Sequence, residues 1–121
     1  MSQSAIILFA HGSRDPLWRQ PMDAVARRIG ELDPTQAVRC AFLELCAPEL
    51  GPCVNELVQA GATRITVVPM FLGVGKHARE DLPVLLEHIR SQHPHIDFRL
   101  QLAIGEQARL VDLLAEIALE P

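Results

Sequence analysis

Short apolar runs alternate along this chain with segments in which apolar residues recur at helical spacing. The runs cover residues 5–10, 37–43, 64–70 and 97–103. Each has the length of a buried strand and is followed by a helical pattern, which is typical of βα units with parallel strands. We therefore predict an α/β fold on one four-stranded parallel sheet. The last run alternates apolar and polar residues, which indicates an edge strand with one wetter face.

The helix boundaries are predicted from turn and capping residues. We expect the first helix to begin at Pro16 with Asp15 as its N-cap. The third begins either at Pro83, with Asp81 as cap, or near His77 with a bend at the proline. Either Pro48 or Pro52 begins the second helix, and residues 105–106 begin the last helix. Two helices are expected to bury these apolar stripes: Met22, Val25, Ala26, Ile29 and Leu32 in the first, and Leu110, Leu113, Leu114 and Ile117 in the last.

Composition limits the class of protein. A chain of 121 residues has the length of about one domain, and we expect residues 1–121 to form a single domain. The net charge of −4 argues against broad nucleic-acid binding. The chain start lacks the basic segment of a secretion signal, and no apolar run approaches the ~18 residues of a membrane span. We expect a cytoplasmic protein that binds neither nucleic acid nor membrane, with reduced thiols to which we assign no chemistry: Cys40, Cys46 and Cys53.

Three candidate functional residues lie just beyond the carboxyl ends of the first three predicted strands. They are His11, Glu44 and His77. Neighbouring parallel strands bring such positions together at the edge where α/β sheets bind ligands. Two imidazoles and a carboxylate suit cobalt, nickel, zinc or ferrous iron, and three protein ligands leave a coordination position open for substrate. A solvated or helix-flanking role for Glu44 remains open on this argument.

Basic residues accompany the two histidines in the same loops. Arg14, Lys76 and Arg79 form a local cationic patch on an acidic chain. Such a patch would steer a small polycarboxylate or phosphate toward this edge, with an effect that weakens as salt rises. Ordinary solvated side chains are the alternative. The remaining histidines are expected on the surface at the opposite edge of the sheet: His88, His93 and His95.

Three motifs in this order resemble the short sirohydrochlorin chelatases, which belong with the ferrochelatase-like metal-inserting enzymes. The first is the segment 11–15, His-Gly-Ser-Arg-Asp, directly after a strand. The second is 42–44, Phe-Leu-Glu, followed shortly by Pro48. The third runs from 68–72, Val-Pro-Met-Phe-Leu, through 75–77, Gly-Lys-His, to 81–83, Asp-Leu-Pro. The resemblance covers nearly the whole chain and implies a flavodoxin-like, chelatase-like three-layer sandwich.

The resemblance also implies an activity and site roles. Such enzymes insert a divalent metal into a tetrapyrrole without ATP, on the cobalamin, sirohaem or F430 routes. We expect cobalt with sirohydrochlorin, iron or nickel being possible, and no organic cofactor. His11 and His77 match the paired metal-binding histidines, and Glu44 matches the acidic residue after the second strand. Arg14, Lys76 and Arg79 would then grip carboxylates at the rim of the macrocycle.

A homodimer is expected on grounds of size. Longer relatives resemble two copies of this unit fused, whereas this chain holds one, which can line only one side of a flat macrocycle. A two-fold partner would supply the second wall. Either the interface or the core is the expected place for five apolar residues near the strand ends: Phe42, Met70, Phe71, Leu72 and Val74.

Three other functions remain as alternatives. A phosphoryl-transfer enzyme could use His11 as a phosphohistidine, but histidine phosphatases carry an arginine directly before that histidine and this chain has Ala10. A flavin-binding module would need a Ser/Thr-rich phosphate cradle that the first turn lacks. A non-enzymatic metal carrier would bind the ion and leave a tetrapyrrole unaltered, so one absorbance assay separates it from a chelatase.

Overall fold

A computed structural model describes residues 3–121 of the chain, and for His77 it describes the backbone and not the side chain. All strands of its four-stranded sheet are parallel, and their order is β2-β1-β3-β4. The predicted α/β class and flavodoxin-like strand order are therefore confirmed. The elements follow in this sequence: β1 (Gln3–Ala10), α1 (Gln20–Leu32), β2 (Ala37–Phe42), α2 (Leu50–Gln59), β3 (Ala62–Pro69), α3 (Lys76–Gln92), β4 (Asp97–Leu100), a 3₁₀ turn (Ile104–Glu106) and α4 (Ala108–Leu119).

Side chains of β1 alternate between two hydrophobic clusters, because successive residues of a strand point to opposite faces. Ile7 and Phe9 belong to the larger cluster, which α2 and α3 cover, and Leu8 belongs to a smaller one beneath α1. The larger cluster is closed by fully buried helix residues: Leu50, Val54, Leu57, Leu86 and Ile89. On the α1 face, Met22 is the buried helix residue. The two faces of the sheet are thus unequally covered.

The predicted start of the first helix is wrong. Asp15 does act as a local cap, since its carboxylate accepts a hydrogen bond from the backbone N–H of Leu17 at 2.9 Å. The backbone N–H of Trp18 also donates to the carbonyl of Asp15, at 3.1 Å. These bonds close a turn, and α1 begins only at Gln20, with Pro21 in its first turn. Pro21, and not Pro16, lies at the start of the helix, because Pro16 is part of the preceding turn.

Two other boundaries are settled by the structure. Helix α3 begins at Lys76, so the start near His77 is confirmed, and Pro83 lies inside the helix. Strand β4 ends at Leu100 and not at residue 103 as predicted. Beyond it, the backbone N–H of Gln101 donates to Val67 and that of Gly105 to Phe71, which keeps the chain beside the end of β3 as far as the 3₁₀ turn. Strand β4 is the predicted edge strand.

The predicted inward stripes of the first and last helices are wrong in part. Val25 is 38% exposed and Leu32 is 69% exposed on α1. None of the residues of α4 is buried within the described chain. Three members of its stripe are therefore exposed: Leu113, Leu114 and Ile117.

Within residues 3–121, no helix is long and apolar enough to cross a membrane. All three cysteines are free thiols. Burial raises the pKa of Cys40, and it raises the pKa of Cys53 to about 11. Both thiols are therefore protonated near neutral pH.

Candidate functional site

The predicted site residues are brought together by the strand order. Strand β1 lies between β2 and β3, so the loop that carries His11 is flanked by the β2–α2 loop on one side and by the β3–α3 segment on the other. Glu44 lies on the first of these loops, and residue 77 is the second residue of α3. This edge is the place where parallel α/β sheets bind ligands.

Gly12, in the β1–α1 loop, allows close contact between this loop and the β2–α2 loop. Its φ of +101° is left-handed, and an added Cβ would collide with the carbonyl oxygen of Glu44. The backbone N–H of Glu44 donates to the carbonyl of His11 at 3.0 Å, and that of Leu43 donates to Ala10 at 2.9 Å. Only a glycine at position 12 permits this approach, because both the conformation and the space exclude a side chain. His11 and Glu44 are consequently held on adjoining backbones.

The loop that carries Glu44 is short and tightly turned. Leu45 has a φ of 69°, and the backbone N–H of Cys46 donates to the carbonyl of Glu44 at 2.9 Å, which forms a γ-turn. The backbone N–H of Phe42 donates across the loop to Pro48 at 2.9 Å. A leucine in the left-handed region costs about 1–3 kcal/mol and persists where its surroundings fix it. The exposed carboxylate of Glu44 is therefore presented by a strained and anchored backbone.

The imidazole of His11 is exposed and lies against an aromatic ring of the core. Its centroid is 4.6 Å from that of Phe71, with the two planes inclined by 58°. Phe71 is itself buried and meets Phe9 edge to face at 6.1 Å. The core thus restricts the histidine ring while leaving its nitrogens accessible from solvent.

The prediction for His77 concerns a side chain that lies outside the described residues. Its backbone places residue 77 in the first turn of α3, directly after Gly75 and Lys76. Among the described side chains, no group of three His, Cys, Asp or Glu residues is arranged to hold a metal. His11 and Glu44 therefore provide at most two ligands of a site, and a third would have to come from residue 77 or from a partner.

The three predicted basic residues are all exposed at this edge. Arg14 follows Gly12 in the β1–α1 loop, and Lys76 and Arg79 lie in the first turn of α3. Within the described part of the chain, none of the three forms an ion pair with a carboxylate. Arg79 also borders a groove whose wall includes Phe71, Leu82 and Leu102. An anionic ligand would meet unpaired positive charge here.

Sequence reasoning missed an aromatic and basic pair beside the site. The ring of Trp18 lies 6.0 Å from that of Phe42, at the carboxyl end of β2, and the Arg19 guanidinium lies 4.8 Å above the same ring. A hydrogen bond to Asp23 raises the pKa of Arg19, so its charge is fixed. The sequence signal is the adjacent pair Trp18 and Arg19, which the predicted first helix included.

The other predicted residues divide between the core and the surface. Phe42 and Phe71 are buried in the core, whereas Leu72 is 66% exposed at the site edge. Three further leucines are exposed on the loops that follow β1 and β2: Leu17, Leu43 and Leu45. His88 and His95 are exposed, and His93 is half-buried with a ring nitrogen 2.8 Å from Oδ1 of Asn55.

Comparison with known proteins adds independent findings. The chain is 37% identical over 82 residues to the sirohydrochlorin cobaltochelatase of Methanopyrus kandleri, which covers 68% of this chain and 57% of that protein. The crystal structure of a cobalamin biosynthesis CbiX protein from Marinobacter aquaeolei superposes with a TM-score of 0.81 at 33% identity, covering 95% of this chain and 93% of that one.

A longer relative has the same architecture. The sirohydrochlorin chelatase SirB of Bacillus subtilis, solved in complex with cobalt, gives a TM-score of 0.78 at 28% identity, covering 94% of this chain and 49% of SirB. The chain thus spans about half of SirB and 57% of the Methanopyrus protein. The CbiX family model matches residues 5–120, which include every motif at the carboxyl edge described above. Since that match extends over almost the entire chain, the protein belongs to the CbiX family.

Proposed function

We propose that this protein inserts a divalent metal, cobalt in the first place, into sirohydrochlorin without ATP. The observation that carries the proposal is the position of His11, exposed between the Glu44 loop and the start of α3. The names of the Methanopyrus and Bacillus relatives support both the reaction and the metal. We further propose that residues 1–121 act as one domain and that the enzyme is cytoplasmic, as its free thiols favour.

In this proposal the metal is a substrate held by His11 and His77. A neutral imidazole binds a borderline divalent ion through a ring nitrogen, and the contact with Phe71 restricts how the His11 ring turns. Two protein ligands leave several positions to water, which pyrrole nitrogens can displace one at a time. The solvent-facing edge provides the space that a planar macrocycle needs.

Glu44 is proposed as the base. Insertion of a divalent ion releases two protons from the pyrrole nitrogens, and an adjacent carboxylate can accept them one at a time, passing the first to solvent before it takes the second. The contact between Gly12 and Glu44 supports this role, because it holds Glu44 beside the backbone of His11. Arg14, Lys76 and Arg79 then bind substrate carboxylates, because the described residues leave these cations without ion-pair partners.

A homodimer is proposed to complete the site. The carboxyl edge is open on one side, and exposed leucines surround it, Leu72 and Leu45 among them. SirB, of which this chain covers only 49%, provides about twice the chain length for one molecule. A second copy would provide the same length here and shield the macrocycle from water.

The direct test is an absorbance assay with sirohydrochlorin and Co²⁺, Fe²⁺ or Ni²⁺ in turn. We expect insertion above the spontaneous rate, and we expect His11→Ala and His77→Ala each to abolish it while circular dichroism stays unchanged. The matched control is His88→Ala, an exposed histidine on α3 about 16 Å along the helix from residue 77. Metal binding without any spectral change of the tetrapyrrole would identify a carrier and refute the enzyme.

A further inference from the structure

The single tryptophan of the chain lies in the loop that carries His11. Trp18 is 37% exposed, and its ring centroid lies 6.0 Å from that of Phe42, with the two planes inclined by 59°. This spacing is that of a favourable aromatic pair. Phe42 is fully buried at the carboxyl end of β2. The indole therefore has one part packed on the core and another part in solvent.

Trp18 and His11 border the same edge of the sheet from its two faces. A Cβ added at Gly12 would lie 3.3 Å from the Cβ of Phe42, so the chain passes over Phe42 directly after His11. Phe42 belongs to the smaller hydrophobic cluster, whereas Phe71, on which the His11 ring lies, belongs to the larger one. An exposed ring thus lies on each side of this edge.

The backbone that carries Trp18 is held by three hydrogen bonds. The N–H of Asp15 donates to Oγ of Ser13 at 3.0 Å, and the carboxylate of Asp15 accepts from the N–H of Leu17 at 2.9 Å. The N–H of Trp18 donates to the carbonyl of Asp15 at 3.1 Å. An aromatic ring on such a turn loses little conformational freedom when a ligand packs on it.

Arg19 fixes the other end of this turn. Its Nε and Nη2 donate to the two carboxylate oxygens of Asp23, each at 3.1 Å. The guanidinium also lies 4.8 Å from the centroid of the Phe42 ring, so it shares that ring with Trp18. An arginine whose carboxylate partner is already in place is suited to positioning Trp18 rather than to binding a substrate.

The surface around Trp18 is apolar with positive charge at its margin. Leu17 and Leu43 are 65% and 38% exposed on the loops after β1 and β2. Arg14 is exposed on the loop of Trp18 and, among residues 3–121, forms no ion pair. A ligand that fits this surface is flat and conjugated, for packing on an indole, and carries carboxylates at its periphery.

We propose that Trp18 is a binding residue for the tetrapyrrole, with one pyrrole-derived ring of the macrocycle packed on its indole, and that Arg19 positions it. This inference rests on the proposed function, to which it adds a residue outside the three sequence motifs. A macrocycle that accepts a metal from His11 is wider than the loop, so its periphery extends across the edge to Trp18. The indole takes no part in proton transfer, and its effect is on affinity.

The first experiment measures the affinity for metal-free sirohydrochlorin from the absorbance of the macrocycle. We expect Trp18→Ala to raise the Kd about tenfold, because the stacking surface is lost, and Trp18→Phe to restore most of the affinity. Val84→Ala is the matched control, because Val84 is 70% exposed on α3, and we expect its Kd to be unaltered. A Trp18→Ala variant with the native circular dichroism spectrum and an unaltered Kd would overturn the proposal.

The second experiment leaves the side chain in place. Incorporation of 5-fluorotryptophan gives one fluorine resonance, because Trp18 is the only tryptophan of the chain. Nuclei above the face of a conjugated macrocycle are shielded by its ring current. We therefore expect the resonance to move upfield on saturation with metal-free sirohydrochlorin, and a resonance that does not move would overturn the proposal.

A double-mutant cycle tests the positioning role of Arg19. We expect Arg19→Gln to raise the Kd about threefold in the unaltered protein and to have no further effect in Trp18→Ala, because Arg19 acts only through Trp18. Arg27→Gln removes an exposed charge on α1 as the matched control, and we expect its Kd to be unaltered. Losses that add would make Arg19 a direct contact of the substrate and overturn its positioning role.

Light scattering distinguishes a substrate surface from a contact between copies. We expect Trp18→Ala to have the same molar mass in solution as the unaltered protein. A variant that dissociates would assign Trp18 to an interface between two chains and overturn the proposal.

The outcomes separate this inference from the proposed function. Metal insertion by a protein whose fluorine resonance never moves refutes the role of Trp18 alone. A resonance that moves upfield with no metal insertion supports the tetrapyrrole surface and refutes the chelatase.

Discussion

The loops after β1 and β2 are held much more firmly than the segment between β3 and α3. In the first pair, Leu43, Glu44 and Cys46 all donate backbone hydrogen bonds within the two loops. In the second region, no such bond outside helices and strands is donated by Leu72, Gly73 or Val74 among the described residues. Segments with few contacts open at lower free-energy cost. The proposed metal ligand His11 and base Glu44 lie on the firm side, whereas α3, which follows the adaptable segment, begins with Lys76 and residue 77.

After the two histidine variants, the largest expected effect lies on the firm side. Glu44→Gln removes the base while keeping the volume, and we expect the insertion rate to fall roughly 1,000-fold with metal affinity unchanged. Parallel rate measurements and calorimetric metal titrations check this. A drop in affinity would make Glu44 a metal ligand, and an unchanged rate would return it to a solvated surface role.

Gly12→Ala tests whether the lock between the loops matters. The methyl group would collide with the carbonyl of Glu44 at a left-handed position, so we expect the free energy of unfolding to fall by roughly 3 kcal/mol. Displacement of His11 and Glu44 should slow insertion by roughly 100-fold. Urea unfolding and the absorbance assay provide the two readouts. Normal rates with reduced stability would separate the lock from catalysis.

Neutralising the cationic patch, which spans both regions, should act on binding. The triple variant Arg14→Gln, Lys76→Gln, Arg79→Gln is expected to raise the KM for the tetrapyrrole roughly tenfold, with kcat nearly kept. The salt dependence of kcat/KM should flatten.

A double variant at Arg27 and Arg28, which removes two positive charges against three in the triple variant, controls for most of the change in net charge. Both side chains are exposed on α1, and the site is formed by other loops. We expect its KM and its salt profile to match those of the unaltered protein. Equal salt profiles for the triple variant and this control would reject the cationic patch.

The smallest effect is expected from Gly73→Ala. A Cβ at this glycine would meet no atom within 4 Å, and its φ lies outside the left-handed region. We expect a gain of stability of about 0.4–1 kcal/mol, because the unfolded chain loses freedom. Thermal unfolding measures it. A loss of stability as large as that expected for Gly12→Ala would show that the β3–α3 segment is held as firmly as the loops after β1 and β2.

The sequence predicted the strands well, and it predicted that His11, Glu44 and residue 77 follow the carboxyl ends of three of them, because both depend on local patterns. Apolar runs of strand length and the glycine after His11 are readable without contacts. The start of α1 was misplaced because Asp15 caps a turn as readily as a helix, and two prolines competed for the first helical position. Trp18 and Arg19 were missed for the same reason, since their contact with Phe42 exists only once that turn has formed.

By itself, then, the sequence determined the α/β class, the strand order expected of it and the set of residues at the carboxyl edge. Only the tertiary structure decided that Gly12 and Glu44 meet backbone to backbone, and that the apolar stripe of α4 faces solvent. The physical reason is that periodicity records which side of a helix is apolar and not which surface covers it. An apolar stripe that packs within the same chain and one that packs on a second copy have the same sequence pattern.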